Sequence, residues 1–539
     1  MQALAFASDP SASGFDPLQT LVVRLRGVCA GGAVLDPADV DAATAMVAHL
    51  AAAAGTPPDP LALEPLFDLD TQVQGALSAT RHSVLFGSTQ PGATLDSLGP
   101  STRALYGALG HVYADAVEGL AAAAPGRSSG ARFAHLTARA LWCLGEQAKW
   151  LYFDHALPER SLWGDLARLY DRIEPLGLAD ASVAAYRGAA AINASCIDLY
   201  VHALLLGTLN NGALTARQTE LGHRWLLRHG RELRIQTADG VPPNGVLLIA
   251  DAEGTPPQWS RGDRQGAPGA RFVSTRALIE RIDHSRRLLR AGRLDLGVDA
   301  GDTPPADYAM FLDHAERVWS SGGDDLTRRA PRAAVAGEPV DVVLGYDACV
   351  ATITRACNAN QASPGADRVV RVHGLPDGPG GGPVRWTLRD KSATGLGILV
   401  PATTASALPI GTLVGFRESG AHRWQIGMLV RRLATTASEQ SLMGVRRLAT
   451  APVFVHLSRR VAAAPKRHDP LGDGIPALFT PFDQALRAVD ALLVSPDHYQ
   501  PESPLTIRVG NAVYRVHMNR VIERGAGWLR VGIEVLGKD

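Results

Sequence analysis

Apolar residues recur at three- and four-residue steps over the first three-fifths of the chain. In residues 131–153, Phe133, Leu136, Ala140, Leu144, Ala148 and Leu151 fall on one helical face. The same period runs through 39–54, 101–123, 162–173, 181–206, 216–229, 275–291 and 306–319, so residues 1–319 are predicted to form a mostly helical domain. Connectors rich in Gly, Pro and Asp, such as 55–60 and 124–130, separate the segments. No clean repeat period is present, although the helix–turn–helix rhythm is similar to helical-repeat scaffolds. Residues 232–252 interrupt the pattern: ELRIQT and GVLLIA flank ADGVPPN and predict a short β-hairpin.

Near residue 328 the pattern changes. Residues 339–344 (PVDVVL), 384–388 (VRWTL), 397–400 (GILV), 413–416 (LVGF), 424–433 (WQIGMLVRRL) and 453–457 (VFVHL) are short and rich in β-branched residues. Gly, Pro and Ser turns divide them, which predicts a small antiparallel barrel or sandwich over 328–460. Residues 349–383 read as an insertion, with a strand over 368–373 and then a Gly/Pro tract that must be a loop. The tail, 461–539, reads as an α/β extension of the barrel: a helix over 481–493, then strands at 505–509, 512–518 and 528–536. The predicted fold class is therefore multidomain α+β, helical first and β-rich afterwards, with a Gly-rich hinge at 320–327 (SGGDDL lies within it).

Length and composition agree with this division. The chain has 539 residues, too many for one core. With 46% hydrophobic and 20% charged residues it is too apolar for a disordered protein. The most apolar helical stretch, 183–207, carries Arg187, Asn193, Asp198 and His202 around its circumference, which predicts a core helix and not a membrane span. No secretory signal is visible at the N-terminus. Cys29, Cys143, Cys196, Cys349 and Cys357 are scattered with no C-x-x-C, which argues against a disulfide scaffold or zinc ribbon and fits a reducing cytoplasm.

Lys+Arg and Asp+Glu are both 53, which argues against a chain-wide polyanion binder, yet the balance hides a split. From Thr327 onward 26 basic residues face 17 acidic ones, a net of +9, and the first 326 residues carry −9. Such asymmetry implies either two mutually attracting parts or an anionic ligand in the C-terminal part.

Two motifs sit at the start of the β-rich part. Arg328-Arg329-Ala330-Pro331-Arg332 contains an R-x-x-x-R. Asp390-Lys391-Ser392-Ala393-Thr394-Gly395 is a D-x-S-x-x-G between the strands VRWTL and GILV. In this order, on this strand framework, with GTLVGF, WQIGMLVRRL and SLMGVRRL following, the region resembles the PilZ domain, a bacterial receptor module for the second messenger cyclic di-GMP. The resemblance covers about 327–460. The large helical region before it resembles FimW-type atypical PilZ proteins, which are linked to type IV pili and surface attachment. It implies a non-catalytic receptor with no cofactor besides its ligand, cyclic di-GMP. Its helical part would relay the signal to a protein partner of the pilus or motility machinery. The implied ligand residues are Arg328, Arg329, Arg332, Asp390, Ser392 and Gly395. Arg431 and Arg432 lie where the family often places a side chain near the ligand. The gap of 58 residues between Arg332 and Asp390, and Leu396 where the family motif often has a second glycine, depart from the pattern.

The residue types suit that chemistry. The arginine fork grips phosphate or the guanine O6/N7 edge bidentately, and its flat face stacks on a base. Asp390 can accept from guanine N1–H and N2–H, Ser392 offers a hydroxyl, and Gly395 allows a tight turn. The plainer alternative is a solvated basic linker and an ordinary hairpin turn, in a helical adaptor whose barrel binds no nucleotide. A single-stranded nucleic-acid binder lacks the expected line of exposed aromatics. No P-loop and no H-E-x-x-H occur. The G-x-S-x-G at Gly126–Gly130 has no preceding strand, and GGDDL at 322–326 only approaches a cyclase signature. Neither supports an enzyme.

Overall fold

The computed structural model describes residues 17–30, 34–87, 94–122, 130–187, 191–209, 212–237, 246–249, 254–260, 271–296, 303–320, 332–335, 337–361, 382–434, 439–459, 474–486, 488–501, 504–509 and 512–538. The chain divides into two compact units, 1–326 and 327–539.

The first unit holds helices α1 (Pro17–Cys29), α2 (Pro37–Ala53), α3 (Glu64–Phe86), α4 (Leu95–Ala122), α5 (Gly130–Phe153), α6 (Arg160–Ile173), α7 (Cys196–Leu209), α8 (Ala216–His229), α9 (Arg276–Arg290) and α10 (Pro305–Ser320). The helix predicted over 181–206 begins only at Cys196. Ser195 and Asp198 form a reciprocal cap there: each side chain accepts from the other's backbone N–H, at 3.2 and 3.0 Å. The residues before the cap pair as a hairpin, β1 (Val183–Tyr186) with β2 (Ile192–Ala194). The hairpin predicted over 232–252 is not formed as such. β3 (Ile235–Thr237) and β4 (Leu247–Leu248) do not pair with each other; β6 (Arg271–Val273) lies between them, and β5 (Gln258–Trp259) completes the sheet. Val273 is fully buried and partners both Ile235 and Leu247, so the later strand takes the central place.

The helices do not form a stack of repeats. α5 is buried on nearly every side and packs against α4, α6, α7 and α8, so that even Arg139, Glu146 and Lys149 along it are enclosed and need partners. Among the described residues no helix is long and apolar enough to cross a membrane. Two buried polar clusters run through this core. Asp70 accepts from Arg139 Nη1 (2.9 Å) and from the hydroxyls of Tyr113 and Tyr186 (both 2.8 Å). Beside it, Glu146 and Glu220 share Arg81 and Lys149, with Lys149 Nζ 2.6 Å from Glu146 and 3.4 Å from Glu220. Arg224 Nε donates to Glu220 at 3.0 Å. Burial without such partners would cost several kcal/mol per ion.

The second unit contains two closed six-stranded barrels. The first is built from β8 (Pro339–Leu344), β9 (Val384–Ser392), β10 (Gly395–Pro401), β11 (Leu413–Glu418), β12 (Gln425–Ala434) and β13 (Gln440–Ala449). Its order is β8-β9-β10-β13-β12-β11, and β11 closes on β8. Alternate residues fill it: Val340 and Val342, Leu396 and Ile398, Val414 and Phe416, Met443 and Val445. A short strand β7 (Ala333–Ala334) adds to β9, and a helix α12 (Ala402–Ser406) follows β10.

Residues 453–457 and the tail are a second barrel, not the last strand and an α/β extension of the first. β14 (Val453–Arg459), β15 (Ile475–Thr480), β16 (Ala491–Val494), β19 (Trp528–Lys538), β18 (Ala512–Gly525) and β17 (Leu505–Val509) pair in that order, and β17 returns to β14. No helix spans 481–493. Asp483 and Ala488 bridge across a turn whose amides at Ala485 and Leu486 donate to the Asp483 carboxylate, and β16 follows. The Asp side chain, by satisfying those amides locally, favours a turn over a helix.

The insertion carries a helix, α11 (Tyr346–Gln361), which packs against both barrels. Tyr346, Cys349, Val350 and Ile353 share one apolar cluster with Trp424 of the first barrel and with Leu478, Leu493 and Trp528 of the second. The Tyr346 hydroxyl donates between the carbonyls of Pro476 (3.0 Å) and Leu493 (3.2 Å), and Trp528 Nε1 donates to the Gly411 carbonyl at 2.8 Å. The strand expected over 368–373 lies outside the described residues.

Candidate ligand-binding site

β9 collects the site. On one side it pairs with β8, then beyond the bend at Gly337 (φ +69°) with β7; on the other it pairs with β10. Ala333 and Ala334 lie opposite Lys391 and Asp390. Arg332, just before this pairing, is thus brought beside the strand that carries the D-x-S-x-x-G motif, and its Nη1 donates to the Asp390 carboxylate. Both side chains are partly exposed. Arg328, Arg329 and most of the hinge lie outside the described residues.

Ser392 and Gly395 partner each other at the end of the β9–β10 hairpin, and Ser392 Oγ donates to the Gly395 carbonyl at 3.3 Å. Two residues, Ala393 and Thr394, make the turn. A Cβ on Gly395 would sit 2.6 Å from the Val445 carbonyl oxygen, so this position needs glycine for space.

Sequence reading missed a row of residues crossing four strands. Asp390 lies opposite Gly397, Gly397 opposite Gly444, and Gly444 opposite Arg431. Leu396 and Ile398, and likewise Met443 and Val445, point into the core, so both glycines face outward. The Asp390 carboxylate lies over Gly397, with both oxygens 2.8 Å from where a Cβ would be, and Arg431 lies over Gly444. With strands about 4.8 Å apart, the row spans roughly 14 Å of barrel surface between an acid and a base, floored by glycines. The signal was present in the sequence: glycines inside strands mark a close approach. Arg432, the residue after Arg431, reaches α12. Its Nη1 donates to the carbonyls of Ala405 (2.6 Å) and Ser406 (3.0 Å) at the end of α12, a helix-capping arrangement.

Further charges surround the turn. Lys391 Nζ is 3.0 Å from Glu418 Oε2, and this bond raises the lysine pKa above its ordinary value. Arg447 Nη2 is 3.2 Å from Glu418 Oε1. Arg446, opposite Gly395, pairs with Glu523 of the second barrel. Among the described residues no cluster of His, Cys, Asp and Glu could hold a metal ion.

No curated protein and no solved structure matches the chain. A family does match, on the helical unit and apart from the motifs: residues 35–240 fit the family described as the N-terminal domain of the cyclic-di-GMP receptor FimW. Over those residues the helical unit is thus similar to the N-terminal domain of cyclic-di-GMP receptors of the FimW type.

Proposed function

We propose that the first barrel is a PilZ-type receptor site for cyclic di-GMP, and that binding there is relayed, without catalysis, to a protein partner in type IV pilus function and surface attachment. The observation that carries this reading is the meeting of arm and turn: Arg332 pairs with Asp390 while Ser392 and Gly395 close the same hairpin. The arginines of the arm take phosphate and the guanine edge, Asp390 takes guanine N1–H and N2–H, and Arg431 faces the ligand from the far end of the glycine row. The ligand then replaces Asp390 as the partner of Arg332. Titration of the purified full chain with cyclic di-GMP, with GMP as control, is expected to give saturable binding of the dinucleotide alone. The internal Arg332–Asp390 pair also favours a second reading, an interaction barrel that binds no nucleotide; absence of saturable binding would establish it over the first.

The glycine row supplies a sharper test. The methyl group of Gly397→Ala would push the Asp390 carboxylate aside and break its bond to Arg332. A partly exposed pair contributes no more than about 1 kcal/mol, so the melting temperature should barely move. Cyclic di-GMP affinity is expected to fall roughly tenfold, one charge-assisted bond's worth. Calorimetry beside thermal melts measures both, and unchanged affinity would remove the row from the site.

A further inference from the structure

We propose that Arg447 is the positioning residue of the ligand turn; the inference rests on the receptor reading above and adds a residue outside both motifs. The turn needs an external support. A two-residue hairpin loop fits the twist of its strands best when its residues take left-handed φ. Ala393 and Thr394 do not: among the described residues the one non-glycine with such a φ is His155. An ordinary Ala-Thr pair therefore closes the hairpin in a geometry that would splay β9 from β10.

Arg447, on β13, corrects this from below. Its Nη1 donates to the Ala393 carbonyl at 3.0 Å, and its backbone N–H donates to the Thr394 carbonyl at 2.9 Å. Both carbonyls at the tip of the turn are thus held by one residue. Each peptide is planar and trans, so each pinned carbonyl turns the N–H across its peptide bond to the opposite side, away from Arg447. The guanidinium is itself fixed. Nη2 is held by Glu418, whose other oxygen holds Lys391, and the Phe416 ring lies 5.7 Å away. Only 12% of the side chain is exposed, and burial lowers its pKa from the ordinary value while Glu418 opposes that shift. A lysine could keep the pairing with Glu418 but could not reach the Ala393 carbonyl at the same time, since only the planar fork presents two donors in fixed directions.

The test uses the full-length chain and two variants, Arg447→Met and Arg447→Lys, with two readouts. Hydrogen exchange is followed at the amides of the β9–β10 hairpin and of β11 and β12, and cyclic di-GMP binding is followed by calorimetry. Exchange at Ser392–Gly395 is expected to quicken roughly tenfold or more in both variants, with β11 and β12 unchanged. Affinity is expected to fall about tenfold to a hundredfold. Turn exchange equal to the parent's in either variant overturns the inference. So does acceleration spread evenly over all strands, which would mark a role in barrel stability alone. If Arg447→Met does not fold, Arg447→Lys decides by the same criteria. A parent that binds no cyclic di-GMP, with the turn still loosened in the variants, defeats the receptor reading and leaves the positioning role standing.

Discussion

Replacing Arg328 and Arg332 together by alanine is expected to weaken cyclic di-GMP binding by about a hundredfold to ten-thousandfold. Each charge-assisted bond contributes about 1.5–3 kcal/mol, and a factor of ten corresponds to about 1.4 kcal/mol. Arg332→Lys should recover little, because an ammonium group cannot grip bidentately. Asp390→Ala acts in two opposed directions. It releases Arg332 from a partly exposed pair, a gain of about 1 kcal/mol at most. It also removes a charged acceptor for guanine, a loss of about 1.5–3 kcal/mol. The loss is larger, so this variant too should bind more weakly, and more so than Ser392→Ala. Calorimetry on the full chain measures all four, and a double arginine variant that binds like the parent would sink the assignment of the arm.

The second large effect lies in the helical core. Lys149→Met should destabilise the helical unit by about 3–5 kcal/mol, because it leaves Glu146 and Glu220 buried with less positive charge. For a unit of this size the melting temperature should drop by roughly 10 °C. The same cluster dictates a pH response. His202 and His223 lie edge to face, 4.8 Å apart, among Lys149, Arg81, Arg224 and the two glutamates. Burial and then the Lys149 charge push the His202 pKa down to about 4, and burial pushes His223 well below its usual range. Both rings are therefore neutral in the folded chain. The unfolded chain binds protons below about pH 6.5, so stability is complete above that pH and falls as pH drops toward 4. Each histidine removes at most a few kcal/mol. Chemical denaturation at pH 7.5 and pH 5.5 measures the loss, and equal stability at the two values would refute it.

The helical period was legible because α5, α8 and α9 each present apolar residues at steps of three and four. α1 and α3 are less legible: their apolar faces are diluted by Arg24 and Arg26, and by Asp68, Asp70, Gln72 and Gln74, of which Asp70 and Gln74 are buried in polar contacts and not turned to solvent. In the first barrel, strand identity followed from β-branched residues between turns, but no local signal says which strand closes on which. That is why 453–457 reads equally well as a last strand of one barrel or a first strand of another. Within the site, Arg332 and Asp390 were legible as motif members. Their direct pairing, and the supporting positions of Arg447 and Glu418, depend on strand register between residues far apart in the chain, which periodicity does not encode.

The placement of α11 gives the two barrels an interleaved genetic layout. The wedge that seats the second barrel is written between β8 and β9, inside the reading order of the first, about a hundred residues before the strands it supports. A fragment ending near Thr450 would present Tyr346, Leu448 and Trp424 to water without the cover of Leu478, Leu493 and Trp528. A fragment beginning at Val453 would lack the helix altogether. A single cut at the junction between them would uncover apolar surface that both barrels share through the helix, so the pair is expected to express and fold as one cassette and not as two separable pieces.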